Sequence, residues 1–461
     1  MKHFTKFGLA MLITTLMPQV ANGYDFEEKG MFFNLNEDGK TVTFTYKVPI
    51  MFALDAPAPS EKGYKGEIVI PSKVTHEGKT YTVNAISEYA FSANPELMSV
   101  VVPPTVKTIG QGAFTQCYRL KSVVLPPSLT EISDYMFAES GLNEITIPNK
   151  VKRIGQSAFG NCSLKSITIP NSVTEIGRSA FSANRWMETA TLGKSVKTIG
   201  EGAFSICSTL GAINLPSSLQ VIGPNAFNEC KGLTSVTIPA SVKQIGTGAF
   251  TNCHGLTSLT VAKGNKTYDS RDNCNAIIET ASNTLVTGCD VSTIPATVTT
   301  IGSDAFHGCY GLKSADIPAS VTVIEDHAFF YCKGIKALSL PNSVTTIGSY
   351  AFVGCDSLET VVIPNSVTTI SDHAFLHDDH IKSVVIGSGV TSIGTWAFKG
   401  LDEVSTIVCK IQDISQVKMG KDVFDEIDLS ACTLWVPKGT AQLYKTASQW
   451  KDFKNIKEYS E

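Results

Sequence analysis

The stretch that decides the fold is IGPNAFNECKGLTSVTIPASVKQ, residues 222–244. Its segment from Leu233 to Ile238 alternates apolar and small polar residues, which is the periodicity of a β-strand with one buried face. Pro239 then ends the strand, because proline has no backbone N–H to offer a neighbouring strand. The stretch therefore predicts a short strand followed by a turn.

This stretch is one copy of a repeat that occupies most of the chain. A Phe returns every 22 or 23 residues, with one longer step, and an Ile precedes each of these Phe residues by five positions. Such a period indicates a solenoid, in which each coil covers the apolar face of the next. The Phe column comprises Phe91, Phe114, Phe137, Phe159, Phe181, Phe204, Phe227, Phe250, Phe306, Phe329, Phe352, Phe375 and Phe398.

A glycine follows the Ile column in most coils. Examples are Gly110, Gly200, Gly246 and Gly348. We interpret this position as a tight corner whose backbone angles glycine adopts more readily than other residues. Where Ser133 stands instead, the corner is predicted to be less demanding.

The repeat resembles that of the BspA-like leucine-rich-repeat proteins, a family of bacterial surface and secreted proteins. The likeness predicts a β-rich leucine-rich-repeat solenoid over residues 85–408, with one short parallel strand in each 22–23-residue coil. It extends to the flanks, where residues 24–84 resemble the N-terminal β cap of that family and residues 409–461 its C-terminal cap. Caps are expected on physical grounds too, because an open stack exposes an apolar end and an unpaired strand edge.

The first residues have the pattern of an export signal. Lys2 and Lys6 supply positive charge, an apolar stretch follows, and small residues end at Gly23. No later stretch approaches the roughly 20 uninterrupted apolar residues that a membrane-spanning helix needs. We therefore predict a signal peptide at residues 1–23 and a product that is located at the cell surface, outside the cell or in the periplasm.

The composition is typical of an ordered chain, with 43% hydrophobic and 17% charged residues. The formal net charge is -4, and the Lys and Arg residues are scattered. Nucleic-acid binding depends on clustered positive charge. The sequence therefore argues against a nucleic acid as the partner.

The period breaks once, between Phe250 and Phe306. The step there is 56 residues, 33 more than one repeat. Two short apolar runs, at 276–280 and 284–287, predict a hairpin within an insertion at about 262–294, and we expect it to project from the stack. The resemblance implies that this insertion recurs in the family, which favours a structural module over a private binding loop.

The chain has twelve cysteines, and eight of them stand three residues after a column Phe. Parallel neighbouring side chains in a coil stack have poor geometry for a disulfide, so these eight are predicted to be buried free thiols that fill space. Two further pairs, Cys274 with Cys289 and Cys409 with Cys432, lie off the column, and the sequence leaves open whether each is bridged. The eight are Cys117, Cys162, Cys207, Cys230, Cys253, Cys309, Cys332 and Cys355.

The best candidate for a metal site is the histidine cluster of His373, His377 and His380. Imidazole is a common ligand for zinc and nickel. Against this, Phe375 belongs to the column and ties the segment to an ordinary corner, so we favour the absence of a metal. The sequence also has no nucleophile elbow, no phosphate loop, no H-E-x-x-H motif and no calcium loop, which indicates no catalytic residues and no cofactor, although it leaves open a pair of carboxylates from different coils.

The strand residues that point away from the core form two neighbouring columns of small hydroxyl and amide side chains. A surface of this kind has low relief and suits a protein or a glycan lying along it, although hydroxyl residues also simply suit an exposed sheet. The predicted ligand-facing residues are Ser122, Ser166, Thr168, Thr189, Thr191, Asn214, Ser235, Thr237, Ser258 and Thr260.

Three functions are compatible with these features. The family likeness favours a secreted or cell-surface protein that binds or adheres to host or neighbouring-cell macromolecules, either proteins or glycans. The alternative is a structural scaffold of the periplasm or envelope without a foreign ligand. An unrecognised enzyme ranks third, because no motif supports catalysis.

Overall fold

The computed structural model of the protein describes residues 23–46 and 63–460. The predicted signal peptide lies outside the described residues except for Gly23. The described chain is a stack of short coils whose strands pair mainly in parallel, which confirms the predicted solenoid. Within these residues, helix is limited to one α-helical turn, Ala441–Tyr444, and the 3-10 turns Arg271–Asn273, Ile414–Gln416 and Trp450–Asp452.

The strands predicted from the alternating pattern lie side by side, and we call their outer surface the strand face. Their apolar residues pair with each other across coils, as Val236 does with Leu259, so that one side of every strand is buried. These strands are Gly66–Val69, Leu97–Val101, Ser122–Val124, Ser166–Thr168, Thr189–Thr191, Ala212–Ile213, Ser235–Ile238, Ser258–Val261, Leu338–Ser339, Thr360–Val362, Ser383–Ile386, Thr406–Cys409, Thr433–Pro437 and Asn455–Tyr459.

Most coils also carry a second, shorter strand that ends at the Ile column, and these strands form a second face. The sequence did not predict them, because two residues are too few to show an alternating pattern. The second-face strands of the repeats are Thr108–Ile109, Glu131–Ile132, Arg153–Ile154, Glu175–Ile176, Thr198–Ile199, Val221–Ile222, Gln244–Ile245, Thr300–Ile301, Val323–Ile324, Thr346–Ile347, Thr369–Ile370, Ser392–Ile393 and Lys418–Met419.

The corner around each column Phe is held by backbone hydrogen bonds to the next coil. In the first coil Tyr89 and Ala93 both have φ of +54°, in the left-handed region. Alternation of left-handed and right-handed residues turns every second N–H towards the neighbouring coil. Accordingly, Phe91 donates to the carbonyl of Ala113 at 2.8 Å and Ala93 to that of Thr115 at 2.9 Å. These bonds satisfy backbone groups where no strand is present.

The glycines after the Ile column are not in the left-handed region, so the prediction that they supply backbone freedom is wrong. They allow the close approach of two coils instead. A Cβ on Gly200 would lie 2.7 Å from the carbonyl carbon of Gly177 in the preceding coil. Ser133 is accommodated in the same position, where its hydroxyl donates to the carbonyl of Gly110 at 2.9 Å.

The core is a column of stacked phenylalanine rings. The centroids of Phe91 and Phe114 are 5.0 Å apart with nearly parallel planes, and the stacking continues ring by ring to Phe250. A second run begins at Phe306, whose centroid lies 5.1 Å from that of the next ring. Burial of each large apolar side chain contributes about 1.5–3 kcal/mol, which makes the stack the main source of stability.

The ring column reaches beyond the predicted repeat region at both ends. Phe44 stacks on Phe91 at 5.0 Å, and Phe424 stacks on Phe398 at 6.1 Å. The N-terminal end is closed by an additional sheet with antiparallel pairs, whose strands are Phe26–Glu28, Met31–Leu35, Thr41–Thr45, Lys73–His76 and Lys79–Ile86. No helix of the described residues has the length and apolar character needed to cross a bilayer.

The insertion forms the predicted hairpin, but the expectation that it projects from the stack is wrong. Its strands Ile277–Glu279 and Thr284–Thr287 pair antiparallel, and the second pairs in parallel with Thr300–Ile301 of the next coil. A third short strand, Tyr268–Asp269, completes this edge of the second face. The hairpin therefore occupies a place within the stack.

The side chains of the hairpin are shared between two hydrophobic cores. Ile277 belongs to the core of the N-terminal coils, whereas Ile278 and Leu285 belong to that of the C-terminal coils. The ring of Phe306 packs against Gly288 of the hairpin, where a Cβ would come within 2.3 Å of the ring. The insertion thus joins two blocks of the solenoid.

Candidate ligand-binding face

The structure brings the ten predicted ligand-facing residues onto the strand face. Ser166 pairs with Thr189 and Thr168 with Thr191 in one sheet, and Ser235 pairs with Ser258 in another. Eight of the ten side chains are exposed, and the other two, on the strand Ser258–Val261, are half-buried. The face therefore presents these side chains in two parallel columns.

Most of these polar groups have no hydrogen-bond partner among residues 23–46 and 63–460. The hydroxyls of Thr237 and Thr260 lie 3.1 Å apart and bond to each other. The other eight side chains make no hydrogen bond within the described part of the chain. Their donors and acceptors face solvent and are available to a ligand.

The strand face is not chemically uniform along its length. It is divided into four sheets, and the coil at residues 141–147 has no strand. The N-terminal sheet carries an exposed apolar column in which Val69, Val101 and Val124 are paired in register. Val362 is likewise exposed in the C-terminal sheet. The hydroxyl-rich surface therefore occupies the middle of the face, between apolar ends.

The cysteines of the repeat do more than fill space. In seven of the eight coils the thiol lies 2.9–3.4 Å from the carbonyl oxygen of the column Phe one coil earlier and donates to it. Asn184 holds the same position and donates to the carbonyl of Phe159 at 2.7 Å. We call the residue three places after the column Phe the donor position, because both residue types supply a donor there.

Burial makes these thiols poor nucleophiles. It raises the pKa of Cys117, Cys207 and Cys253 to about 12. The thiolate is the reactive form of cysteine, so a raised pKa suppresses reaction. The donor position is structural in these coils and offers no chemistry to a substrate.

Asp378 is the exception at the donor position. Its side chain is 1% exposed, and one carboxylate oxygen accepts a hydrogen bond from the N–H of Cys355 at 2.7 Å. The other oxygen is buried without a partner among the described residues. Burial raises the pKa of Asp378 well above its ordinary value. A carboxylate cannot donate, so the protonated acid suits this position better than the anion.

The off-column cysteines are free thiols in the structure. Cys274 and Cys289 contact different carbonyls, those of Ala276 and Asn275, each at 3.5 Å. In the C-terminal pair, Thr406 is opposite Thr433, which offsets Cys409 from Cys432 by four residues along the strands. At about 3.3 Å per residue this separation exceeds the reach of a disulfide.

The histidine cluster does not converge on one point. His373 is stacked on Tyr350 at 4.3 Å, His377 lies against Gly400, and His380 is exposed. Within residues 23–46 and 63–460 no group of three His, Cys, Asp or Glu side chains is arranged to hold a metal ion. The structure gives no support to the metal candidate.

His373 belongs instead to a surface column of aromatic rings that the sequence reasoning missed. His327 stacks on Tyr350 at 5.0 Å, Tyr350 on His373, and Trp396 meets His373 edge-on at 5.3 Å. All four residues stand two places before a column Phe. The sequence shows this column as aromatic residues that stand two positions before successive residues of the Phe column.

Parallel coils of 22–23 residues around a single apolar column define a leucine-rich-repeat solenoid. The family model described as BspA-type leucine-rich repeat region matches residues 73–187, 130–257, 183–278 and 286–405, with six copies. The chain belongs to this BspA-type family. No protein of curated function matches it.

Solved structures share the architecture. A leucine-rich cell surface protein from Faecalibacterium prausnitzii is 30% identical, with 83% of this chain and 94% of that chain covered and a TM-score of 0.63. A leucine-rich repeat protein from Bacteroides ovatus is 24% identical, with 90% and 100% covered and a TM-score of 0.60. The pneumococcal vaccine antigen PcpA is 21% identical, with 95% and 99% covered and a TM-score of 0.55. The last two show the fold alone.

Proposed function

We propose that the protein is an exported, non-catalytic binding protein that presents its strand face to macromolecules at or outside the cell surface. The observation that carries the proposal is the alignment of the ten ligand-facing residues, of which eight have no internal hydrogen-bond partner. A flat surface with free donors and acceptors provides contact area without a reaction centre.

The relatives support the same assignment. The structure from F. prausnitzii is described as a cell surface protein, and its 30% identity extends over 94% of its length. The predicted signal peptide agrees with export. Antibody labelling of intact and permeabilised cells tests the location, because a surface protein is labelled before permeabilisation and a periplasmic one only afterwards.

Binding is tested with the purified chain from residue 24 onwards against immobilised matrix proteins, mucins and surface glycans, measured by biolayer interferometry. Replacing Thr168, Thr191 and Thr237 together by Lys places three bulky cations on the strand face. We expect this variant to bind at least about tenfold more weakly.

The matched control carries Thr322→Lys and Thr345→Lys, which are exposed on the second face. This control should keep the affinity of the unaltered protein. Equal loss of binding in both variants would show that charge alone is responsible, and the absence of binding to every ligand would overturn the proposal.

A further inference from the structure

Trp186 is the most exposed large apolar side chain of the described residues, at 66%. Its indole has no stacking partner, no cation above it and no hydrogen bond within the described part of the chain. The other tryptophans differ. Trp396 contacts His373 and Lys399, Trp435 lies beneath Lys457, and Trp450 is buried.

The fold does not require an aromatic side chain at this position. Trp186 stands five residues after the column Phe, and the equivalent residue in other coils is small or polar. These residues are Glu96, Arg119, Thr209, Gly232, Gly255, Gly311, Gly334, Ser357, His380 and Glu403. Since a glycine meets the structural need in four coils, the stability of the solenoid gives no reason for tryptophan.

Two shortened coils keep one side of the indole open. In the coils of Phe137 and Phe159 the buried Leu142 and Leu164 follow the column Phe by five residues, whereas Met187 follows its Phe by six. These coils therefore lack the residue that would stand level with Trp186.

On the other side Trp186 has a small polar neighbour. The hydroxyl of Thr209 donates to the carbonyl of Arg185 at 3.0 Å, which fixes the next coil beside the indole. Trp186 thus lies close in the chain to the strand Thr189–Thr191 of the strand face, with a small polar residue beside it in the next coil.

Polar groups without partners surround the indole. Arg185, Glu188 and Lys165 are exposed and form no ion pair within the described residues. The carbonyl of Lys165 accepts a hydrogen bond from the N–H of Glu188 at 2.8 Å, so these residues are adjacent across coils. Thr189, a residue of the ligand-facing columns, is three positions from Trp186.

From this arrangement we propose that Trp186 is the stacking platform of a glycan-binding site on the strand face, with a pyranose chain as its ligand. A pyranose ring has an apolar C–H face that packs on an aromatic ring, while the indole N–H remains free to bond. Sugar hydroxyls are both donors and acceptors, which matches the free cations, carboxylate and hydroxyls around the indole.

A protein ligand fits the surroundings less well. Tryptophan anchors at protein interfaces typically lie near the centre of the contact, in well-packed pockets from which water is excluded. Here Arg185 and Glu188 of the same coil, and Thr209, which bonds to Arg185 from the next coil, are all polar and exposed. The site deepens the proposed function and rests on it, because it names the class of macromolecule that the strand face binds.

The test uses the purified chain from residue 24 onwards on an array of glucan, mannan, xylan and mucin-type oligosaccharides, followed by calorimetric titration of the strongest binder. Trp186→Ser, which copies Ser357, should lower the affinity by about tenfold or more and Trp186→Phe by less. Tyr118→Ala is the matched control, since Tyr118 is also an exposed aromatic residue, at 58%. We expect it to keep full affinity, and all three variants to keep the melting temperature of the unaltered chain.

The readouts separate the site from the general function. Glycan binding that Trp186→Ser leaves unchanged would overturn the site and leave the proposed function intact. Binding to proteins alone, whether or not it depends on Trp186, would overturn the glycan assignment in the same way. Failure to bind either class of ligand would remove the proposed function and the site together.

Discussion

Asp378 accepts a hydrogen bond of 2.7 Å from the backbone N–H of Cys355, which stands at the donor position of the preceding coil. Cysteine or asparagine donates to a Phe carbonyl at this position in other coils, but ionised aspartate has no donor. Its second oxygen is consequently buried without a partner among the described residues. The stability of this coil therefore depends on whether the carboxyl group of Asp378 is protonated.

We predict that Asp378→Asn stabilises the protein and that the gain grows with pH. Burial raises the pKa of folded Asp378 well above its ordinary 3.8. The stabilising contribution of the protonated acid is therefore full below that value and lost as pH rises towards the folded pKa. Asn remains neutral and can donate, so the gain near neutral pH should be about 1–3 kcal/mol.

Thermal unfolding at about pH 4 and about pH 8 measures this difference. Asp316→Asn is the control, because Asp316 is exposed on the strand face and should give no gain at either pH. A gain for Asp378→Asn that is the same at both pH values would contradict the assignment.

Gly200→Ala should destabilise the protein, because its Cβ would lie 2.7 Å from the backbone of the preceding coil. Forced separation of two packed segments typically costs about 1–3 kcal/mol. Gly211→Ala is the matched change, since no atom lies within 4 Å of a Cβ there, and it should be neutral. The measurement is the melting temperature of each variant. Equal values for Gly200→Ala and Gly211→Ala would contradict the explanation that Gly200 is needed for the close approach of two coils.

Phe204→Ala should cost about 3–5 kcal/mol, as expected for a large cavity in a packed core. The ring of Phe204 lies 5.2 Å from that of Phe181 and 5.5 Å from that of Phe227, so its removal interrupts the column on both sides. Phe330→Ala provides the comparison, since Phe330 is half-buried and lies outside the column. Chemical denaturation should show a markedly smaller loss for Phe330, and similar losses would argue against the column as the main source of stability.

The cysteine thiols should not react in the folded protein, and all twelve should react after unfolding. All twelve cysteines are buried and free, and burial raises the pKa of Cys162, Cys409 and Cys432 to about 11. Titration with a thiol reagent near neutral pH should detect no rapid reaction in the native state and twelve thiols in denatured, unreduced protein. Ten or fewer thiols would reveal a disulfide.

The sequence is sufficient to predict the column, because each coil repeats the same apolar positions and the stack superimposes them. Phe91 and Phe114 must meet once the period is known. The same reasoning places Ser166 beside Thr189 on the strand face, as the structure confirms. The repeat period therefore predicts the contacts between residues that occupy the same position in adjacent coils.

Features that depend on the distance between coils could not be predicted in this way. The role of Gly200 is set by the backbone of Gly177, and the position of the hairpin by the packing of Gly288 on Phe306. Periodicity places Gly200 beside Gly177 but does not give the distance between their backbones, and Gly288 and Phe306 do not occupy equivalent positions of adjacent coils. The second-face strands could not be predicted because strands of two residues, such as Thr346–Ile347, are too short to show an alternating pattern.

The division of the core at the hairpin has a mechanical consequence. Tension applied to the two ends would be distributed along each stack of rings, because each coil packs against the next. At the junction the column of rings is interrupted, and the two blocks are joined by the hairpin, by the stacking of His254 on Tyr310 and by the bond from the N–H of Asn252 to the carbonyl of His307 at 3.2 Å. We therefore expect the solenoid to separate first at this junction under tension, while the ring column of each block stays intact.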